Sequence, residues 1–173
     1  ATTEQLAMKA GVDIRNSEPS PGNKAGGLTT LEEKSLGAIL KGGTSPIRQV
    51  VGYAERPTEA GLVIMDSPAH DAVCNTGMVA GGAQIVVFTT GRGTPLGAPT
   101  VPVVKISSNS GLYRRMADNI DMDAGTILEG AATVDELGES LFQEIVAVAS
   151  GRLTKAEILG HHEFAIHSLG LNV

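Results

Sequence analysis

A chain of 173 residues, 42% of them hydrophobic, suits one domain with a real core, or one domain plus an arm. A net charge of -6 argues against nucleic acid and against anionic membrane surfaces, because both favour basic patches. Only 3% of residues are aromatic, Trp is absent and Gly numbers 22, which fits the close backbone packing of an α/β sheet better than an aromatic-rich β-sandwich. The single Cys74 cannot form an internal disulfide and fits a reducing compartment. No apolar run approaches membrane-spanning length, and no signal peptide is seen. The chain opens at Ala1 without an initiator Met, which fits tag removal or a domain cut from a longer protein.

Residues 11–28 carry Pro19, Pro21 and several glycines, so a loop or linker is expected there, and no regular element. A helix follows. Thr30 and Glu33 have capping-box spacing, with Glu33 expected to reach back to the Thr30 amide. Leu36, Ile39 and Leu40 form its apolar face, and Gly42-Gly43 ends it. Residues 49–54 and 62–65 read as short strands, and Asp66-Ser67-Pro68 then breaks the chain. Small residues predict a helix over 70–82, which Gly77 weakens.

Ile85 to Phe88 is the clearest strand, continuous, β-branched and aromatic. Another is predicted over 101–106, a short helix over 110–118, and a last short strand over 126–128. Thr133–Glu136 is a second capping box. It opens a helix with Val134, Leu137, Leu141, Ile145 and Val148 at helical spacing. Thr154–Glu157 is a third, opening a short helix, and the tail beyond it resembles no regular element. Continuous apolar strands alternating with helices imply a parallel sheet covered on both faces. Ligands of such sheets bind beyond the carboxyl ends of the strands, the edge that carries 66–68 and 89–92.

The glycine-rich loop after residue 88 is not a nucleotide motif. A P-loop needs GxxxxGK[ST], which is absent. The spacing Gly91-Arg92-Gly93-x-x-x-Gly97 is one residue too long for a dinucleotide fingerprint, and Pro95, Pro99 and Pro102 preclude the helix that must follow. What remains is a strand end with two hydroxyls, flexible amides and one Arg, whose fork suits a carboxylate. The alternative is a tight turn with a solvated Arg.

Five blocks then point one way. They are PSPGNKAGGLTTLEEKSLG at 19–37, GLVIMDSP at 61–68, TGMVAGGAQIVVFTTGRGTPLG at 76–97, PVVKISSNSGLYRRMADNIDMDAG at 102–125, and HEFAIHSLG near the end. Together they resemble the C-terminal domain of the altronate dehydratase and galactarate dehydratase family of sugar-acid dehydratases. GLYRRMADNIDMDAG looks closer to the altronate branch. The resemblance implies a Rossmann-like α/β fold, a parallel sheet flanked by helices with an unusual crossover. It makes residues 1–28 an arm or linker and 29–173 the domain. It also implies a longer parent chain with further N-terminal domains, a divalent metal (Fe2+, with Mn2+ as the alternative), a small anionic sugar-acid substrate and a cytoplasmic setting. A homo-oligomer is expected, of a size the sequence leaves open.

The implied reaction removes water from an aldonate or aldarate to give a 2-keto-3-deoxy acid. A sulfo-lyase acting on sulfolactate is the near rival, a nucleotide-binding Rossmann domain the rival from another class, and a non-catalytic assembly domain a third. The dehydration needs a carboxylate clamp or metal, a base and an acid.

Asp66 and Asp71 offer hard oxygen ligands, and His70 between them is a ligand or the base. The plain alternative is that Asp66 and Ser67 cap the next helix. Lys24 is a carboxylate binder or base, and Asn23 a substrate binder, against an ordinary exposed loop. Thr89, Thr90, Arg92 and Asn109 are expected to bind substrate carboxylate and hydroxyls, with helix capping as the alternative for Asn109. Arg114 and Arg115 read as surface or structural pairs, and Asp121 and Asp123 as supporting groups or a solvated turn. His161, His162 and His167 lack the spacing of a zinc pair, and Cys74 reads as packed.

Overall fold

The computed structural model describes residues 5, 8, 9, 11, 19–25 and 27–166. His167 and most of residues 11–18 lie outside them. Two compact units are present, one built from residues up to 50 with 59–64, the other from 51–58 and 65–166.

The first unit holds helices α1 (Pro21–Ala25) and α2 (Leu31–Leu40) and most of strands β1 (Ile47–Val51) and β2 (Leu62–Met65), which pair as a two-stranded sheet. Helix α1 corrects the expectation of an irregular 11–28. Pro21 opens it, at the one helical position where a missing N–H costs nothing and a fixed φ helps. Ser20 Oγ accepts from the Asn23 amide at 3.4 Å, and Asn23 Oδ1 accepts from the Ser20 amide at 3.3 Å. A reciprocal cap of this kind is what two prolines obscure in a sequence.

Helix α2 starts at the expected Thr30, whose hydroxyl accepts from the Glu33 amide. Glu33 itself reaches chiefly to Thr29, one residue before the expected Thr30 amide, which it meets more weakly. At Thr29 it finds two donors in one residue, the amide at 2.8 Å and the hydroxyl at 2.7 Å. The apolar face expected for this helix is open, with Leu36 60%, Ile39 72% and Leu40 84% exposed.

The second unit is built on a parallel sheet in the order β3 (Val86–Thr90), β4 (Val103–Ser107), β5 (Met122–Asp123). Register pairs Val86 with Val103, Thr90 with Ser107, and Ser107 with Asp123. Every residue of central β4 is buried, as a parallel strand covered on both faces must be. Helix α3 (Asp71–Ala80) lays Met78 and Val79 against the cluster of Val86, Ala98 and Val103. Burial on this scale contributes about 1.5–3 kcal/mol per large aliphatic side chain.

Gly77, the residue that weakened α3 in the sequence, is explained by packing. A Cβ there would run into the Tyr53 ring, whose hydroxyl donates to the Val73 carbonyl at 2.8 Å.

Helix α4 (Ser110–Arg115) follows β4 and buries Leu112, and α5 (Gly125–Leu128) follows β5. The predicted strand at 126–128 is therefore a helix, and the last strand lies at Met122–Asp123. The Asp123 carboxylate accepts from the Gly125 amide at 2.9 Å, which turns the chain into a helical start right after the ladder ends.

Helix α6 (Val134–Ala149) and helix α7 (Lys155–Ile158) both carry complete capping boxes, at Thr133–Glu136 and Thr154–Glu157. The α6 stripe is only partly covered, since Val148 is buried while Val134 is 69% exposed. Among the described residues no helix is long and apolar enough to cross a membrane.

Gly125 abuts the backbone of Ser110, where a Cβ has no room, whereas Gly138 in α6 faces open space. Gly125→Ala should lose about 1–3 kcal/mol or more in denaturant unfolding. Gly138→Ala should gain roughly 0.5–1 kcal/mol. A neutral Gly125→Ala would mean that the starts of α5 and α4 do not approach this closely.

Candidate functional site

The parallel register decides which side chains share the carboxyl edge of the sheet. Thr90, Ser107 and Asp123 end three neighbouring strands at one level. Ser108 N–H donates to the Thr90 carbonyl at 3.0 Å, and Ala124 N–H to the Ser107 carbonyl at 2.8 Å, so the loops leave the sheet together. Thr89 and Thr90 are the last residues of β3, not its sequel, because their β-branched side chains continue the strand.

Thr90 Oγ1 accepts from the Gly93 amide at 2.9 Å and closes the turn that carries Arg92. Arg92 is exposed. No helix starts after β3. The chain runs through prolines to β4, so the helix N-terminus that a dinucleotide pyrophosphate requires is missing from this loop.

Asn109 stands on the same edge and is the N-cap of α4, its Oδ1 accepting from the Leu112 amide at 2.9 Å. The capping role expected as the alternative is thus present. It uses the carboxamide oxygen and not the amide nitrogen. Sequence reasoning passed over two neighbours. Ser107 Oγ bonds the Asn109 carbonyl at 2.8 Å, and buried Ser110 Oγ has no partner among the described residues. The run Ser107-Ser108-Asn109-Ser110 at a strand end was the available signal.

The 66–71 loop follows β2, but β2 pairs with β1 in a separate two-stranded sheet, so 66–68 do not share the carboxyl edge of β3, β4 and β5 with 89–92, contrary to expectation. Asp66, His70 and Asp71 are exposed, His70 is the N-cap of α3, and it makes no side-chain cap bond. Neither Asp66 nor Ser67 caps that helix, since Ser67 Oγ bonds the Pro68 carbonyl at 3.2 Å. Among the described residues no three His, Cys, Asp or Glu side chains gather closely enough to hold a metal ion. Asp66 and Asp71 therefore do not make a complete ion site by themselves.

Asn23 and Lys24 lie on α1, in the other unit. Asn23 Oδ1 accepts from Ser20 Oγ at 2.9 Å and Lys34 Nζ at 3.1 Å, and Lys24 is exposed.

Lys105, which the sequence reading did not single out, is fully buried in the middle of β4. Its Nζ donates to the Pro95 carbonyl at 3.0 Å, which fixes the far end of the Arg92 loop. Burial pulls its pKa down, against the opposing charges of Asp121 and Glu163. Asp121 is a structural clip. It accepts from the Lys105 amide at 2.7 Å and the Lys155 amide at 2.9 Å. Arg114 forms an exposed pair with Glu129 at 4.0 Å.

The tail closes the loop from the other side, with Glu163 Oε2 accepting from the Gly97 amide at 2.8 Å. Partial burial pushes the Glu163 carboxyl up. The amides of Gly97 and of Glu163 itself, with the charges of His161 and Lys105, outweigh it and hold the pKa below its usual value.

Among known proteins, residues 1–172 match the family described as D-galactarate/Altronate dehydratase, C-terminal. The chain is 47% identical over 145 residues to galactarate dehydratase (L-threo-forming) of Escherichia coli (strain K12), covering 84% of this chain and 28% of that protein. It is 41% identical over 155 residues to altronate dehydratase of Bacillus subtilis (strain 168), covering 90% and 31%. It is 40% identical over 158 residues to the (2R)-sulfolactate sulfo-lyase subunit beta of Chromohalobacter salexigens, covering 91% and 41%. The chain thus spans well under half the length of these relatives.

A carboxyl whose folded pKa is depressed stabilises the fold above its unfolded pKa and loses that contribution as pH falls through the folded value. For Glu163 the loss begins below about 4.5. Glu163→Gln should therefore lower the melting temperature at neutral pH and flatten its decline in acid. An unchanged acid limb in thermal melts would show that Glu163 does not hold Gly97.

Proposed function

Since the chain belongs to the D-galactarate/altronate dehydratase C-terminal family, we propose that it is the part of a sugar-acid dehydratase that binds the substrate carboxylate and hydroxyls. The reaction is loss of water from an aldonate or aldarate. A base removes the proton α to the carboxylate, the β-hydroxyl leaves with a proton from an acid, and the enol product tautomerises to a 2-keto-3-deoxy acid. The observation that carries this reading is the register that gathers Thr90, Ser107 and Asp123 on one edge, next to Arg92 and Asn109.

Arg92, exposed on a turn tied to Thr90, offers a fork to the carboxylate. Its charge opposes the negative charge that grows there as the α-proton leaves. Thr89, Thr90 and the Asn109 amide nitrogen suit the hydroxyls of a polyol chain. His70, exposed in this unit, is the candidate base, and Lys24, exposed on α1 of the other unit, is the alternative.

Asp66 and Asp71 supply two of the oxygen donors that Fe2+ or Mn2+ takes, and the described residues add no third. We place the remaining ligands in the parts of the full-length enzyme that this chain does not span. A bound ion would add Lewis-acid stabilisation of the same developing charge. A second reading, a sulfo-lyase expelling sulfite from sulfolactate, is favoured by the match to the sulfo-lyase beta subunit. It uses the same enolate chemistry and the same carboxylate clamp.

In the full-length enzyme, Arg92→Ala should lower kcat/KM by about 10–100-fold, the loss of one charged hydrogen-bonded contact. Altronate, galactarate and sulfolactate assayed side by side decide between the readings. Turnover at wild-type level in Arg92→Ala would remove this edge from the active site. Calorimetric titration of Mn2+, or anaerobic Fe2+, should show binding to the full-length enzyme that Asp66→Ala weakens. Equal binding by the variant would move the metal elsewhere.

A further inference from the structure

The last turn of α4 carries two neighbouring arginines whose surroundings differ. Arg114 pairs with Glu129. Arg115 is exposed and meets no carboxylate among the described residues. Its guanidinium folds back along the helix. A Cβ placed on Gly111 would lie 3.6 Å from Arg115 Nη1 and 3.1 Å from Asn109 Oδ1. Residues four apart share one helix face, and their side chains lean towards the helix start. Gly111 has no side chain to obstruct that lean. Arg115 therefore reaches from the end of α4 back towards Asn109, at the carboxyl edge of the sheet.

The turn that carries Arg92 is seated against the same helix. A Cβ on Gly93 would overlap Met116 Sδ and lie 3.0 Å from Leu112 Cδ1, and one on Gly91 would lie 3.4 Å from Ser108 Oγ. Arg92 too has no carboxylate partner among the described residues. Asp123, the acid that ends β5, turns its Oδ1 to the Gly125 amide. Two unpaired cations held around one short helix attract an anion, even in a chain whose net charge is -6.

We propose that Arg115 is the second cation of the carboxylate clamp, an inference that rests on the sugar-acid reading above. Arg92 matches the one negative charge of the substrate carboxylate. When the base takes the α-proton, the electron pair left behind moves onto the carboxylate, which becomes an enediolate with two negative charges. One guanidinium leaves the second charge unmatched, and Arg115 meets it. The contribution of Arg115 thus falls on the transition state more than on the bound substrate.

The test is steady-state kinetics of the full-length enzyme on whichever of altronate, galactarate and sulfolactate it turns over. Arg115→Ala should lower kcat by about 10–100-fold and change KM by less than about threefold, the signature of a contact made in the transition state. Arg115→Lys should recover part of the loss, because it keeps the charge and gives up the fork. Arg114→Ala, one residue away, should leave both constants unchanged. Wild-type kcat in Arg115→Ala beside a loss in Arg92→Ala would overturn this inference and leave the clamp at Arg92. Wild-type kcat in both variants would overturn the site itself. A raised KM with unchanged kcat would make Arg115 a contact of the bound substrate only, and an equal loss in Arg114→Ala would make the effect structural; either overturns the inference. Turnover of none of the three substrates would end the sugar-acid reading and this inference together.

Discussion

The central strand of the larger unit carries a lysine that water cannot reach, and most of the surrounding structure answers to it. Lys105 is 0% exposed. An ammonium taken from water must be met by fixed oxygens or the fold pays the whole desolvation cost. The Pro95 carbonyl meets it directly, while Asp121 and Glu163 bring negative charge near it. The proline-rich loop is thereby pulled down over the sheet, with Arg92 held near its start. Asp121 does two further things, binding the Lys105 amide and the Lys155 amide, so strand β4, the turn and helix α7 share one carboxylate.

That arrangement separates the frame from the candidate site. Lys105, Asp121 and Glu163 spend their charge on holding loops, while Arg92, Thr89, Asp66 and His70 are exposed at or beyond strand ends. A parallel sheet makes this division natural for Thr89 and Arg92, because β3, β4 and β5 end at the same edge and each loop there can vary without disturbing the ladder, while Asp66 and His70 follow β2 of the other sheet. Relatives named for galactarate, altronate and sulfolactate chemistry fit such a frame.

Where the signal was local, the sequence was legible. The capping boxes at Thr133 and Thr154 are present in full, and the 62–65 strand has the predicted bounds. The parallel sheet followed from unbroken apolar runs, and the edge that gathers Thr90, Arg92 and Asn109 followed from the sheet. Non-local facts were not legible. Nothing near Lys105 in sequence marks it as buried, because its partners lie at 95, 121 and 163. Nothing near Gly77 announces the Tyr53 ring that requires it. Residues 126–128 look like a strand by composition, and only the Asp123 cap and the close approach of Gly125 to Ser110 make them helical. At the site, the Asn109 cap was foreseen and the unpartnered hydroxyl of Ser110 was not, since its burial depends on that same approach.

The clip formed by Asp121 also orders events in time. A chain made from its N-terminus exposes β4 well before the residues that complete it. Until residues 121 and 163 have emerged, the Lys105 ammonium has only the Pro95 carbonyl and lacks the two carboxylates whose charge opposes the cost of its burial. The larger unit is thus withheld until these distant residues are available, and of them the tail that bonds Gly97 is made after the rest.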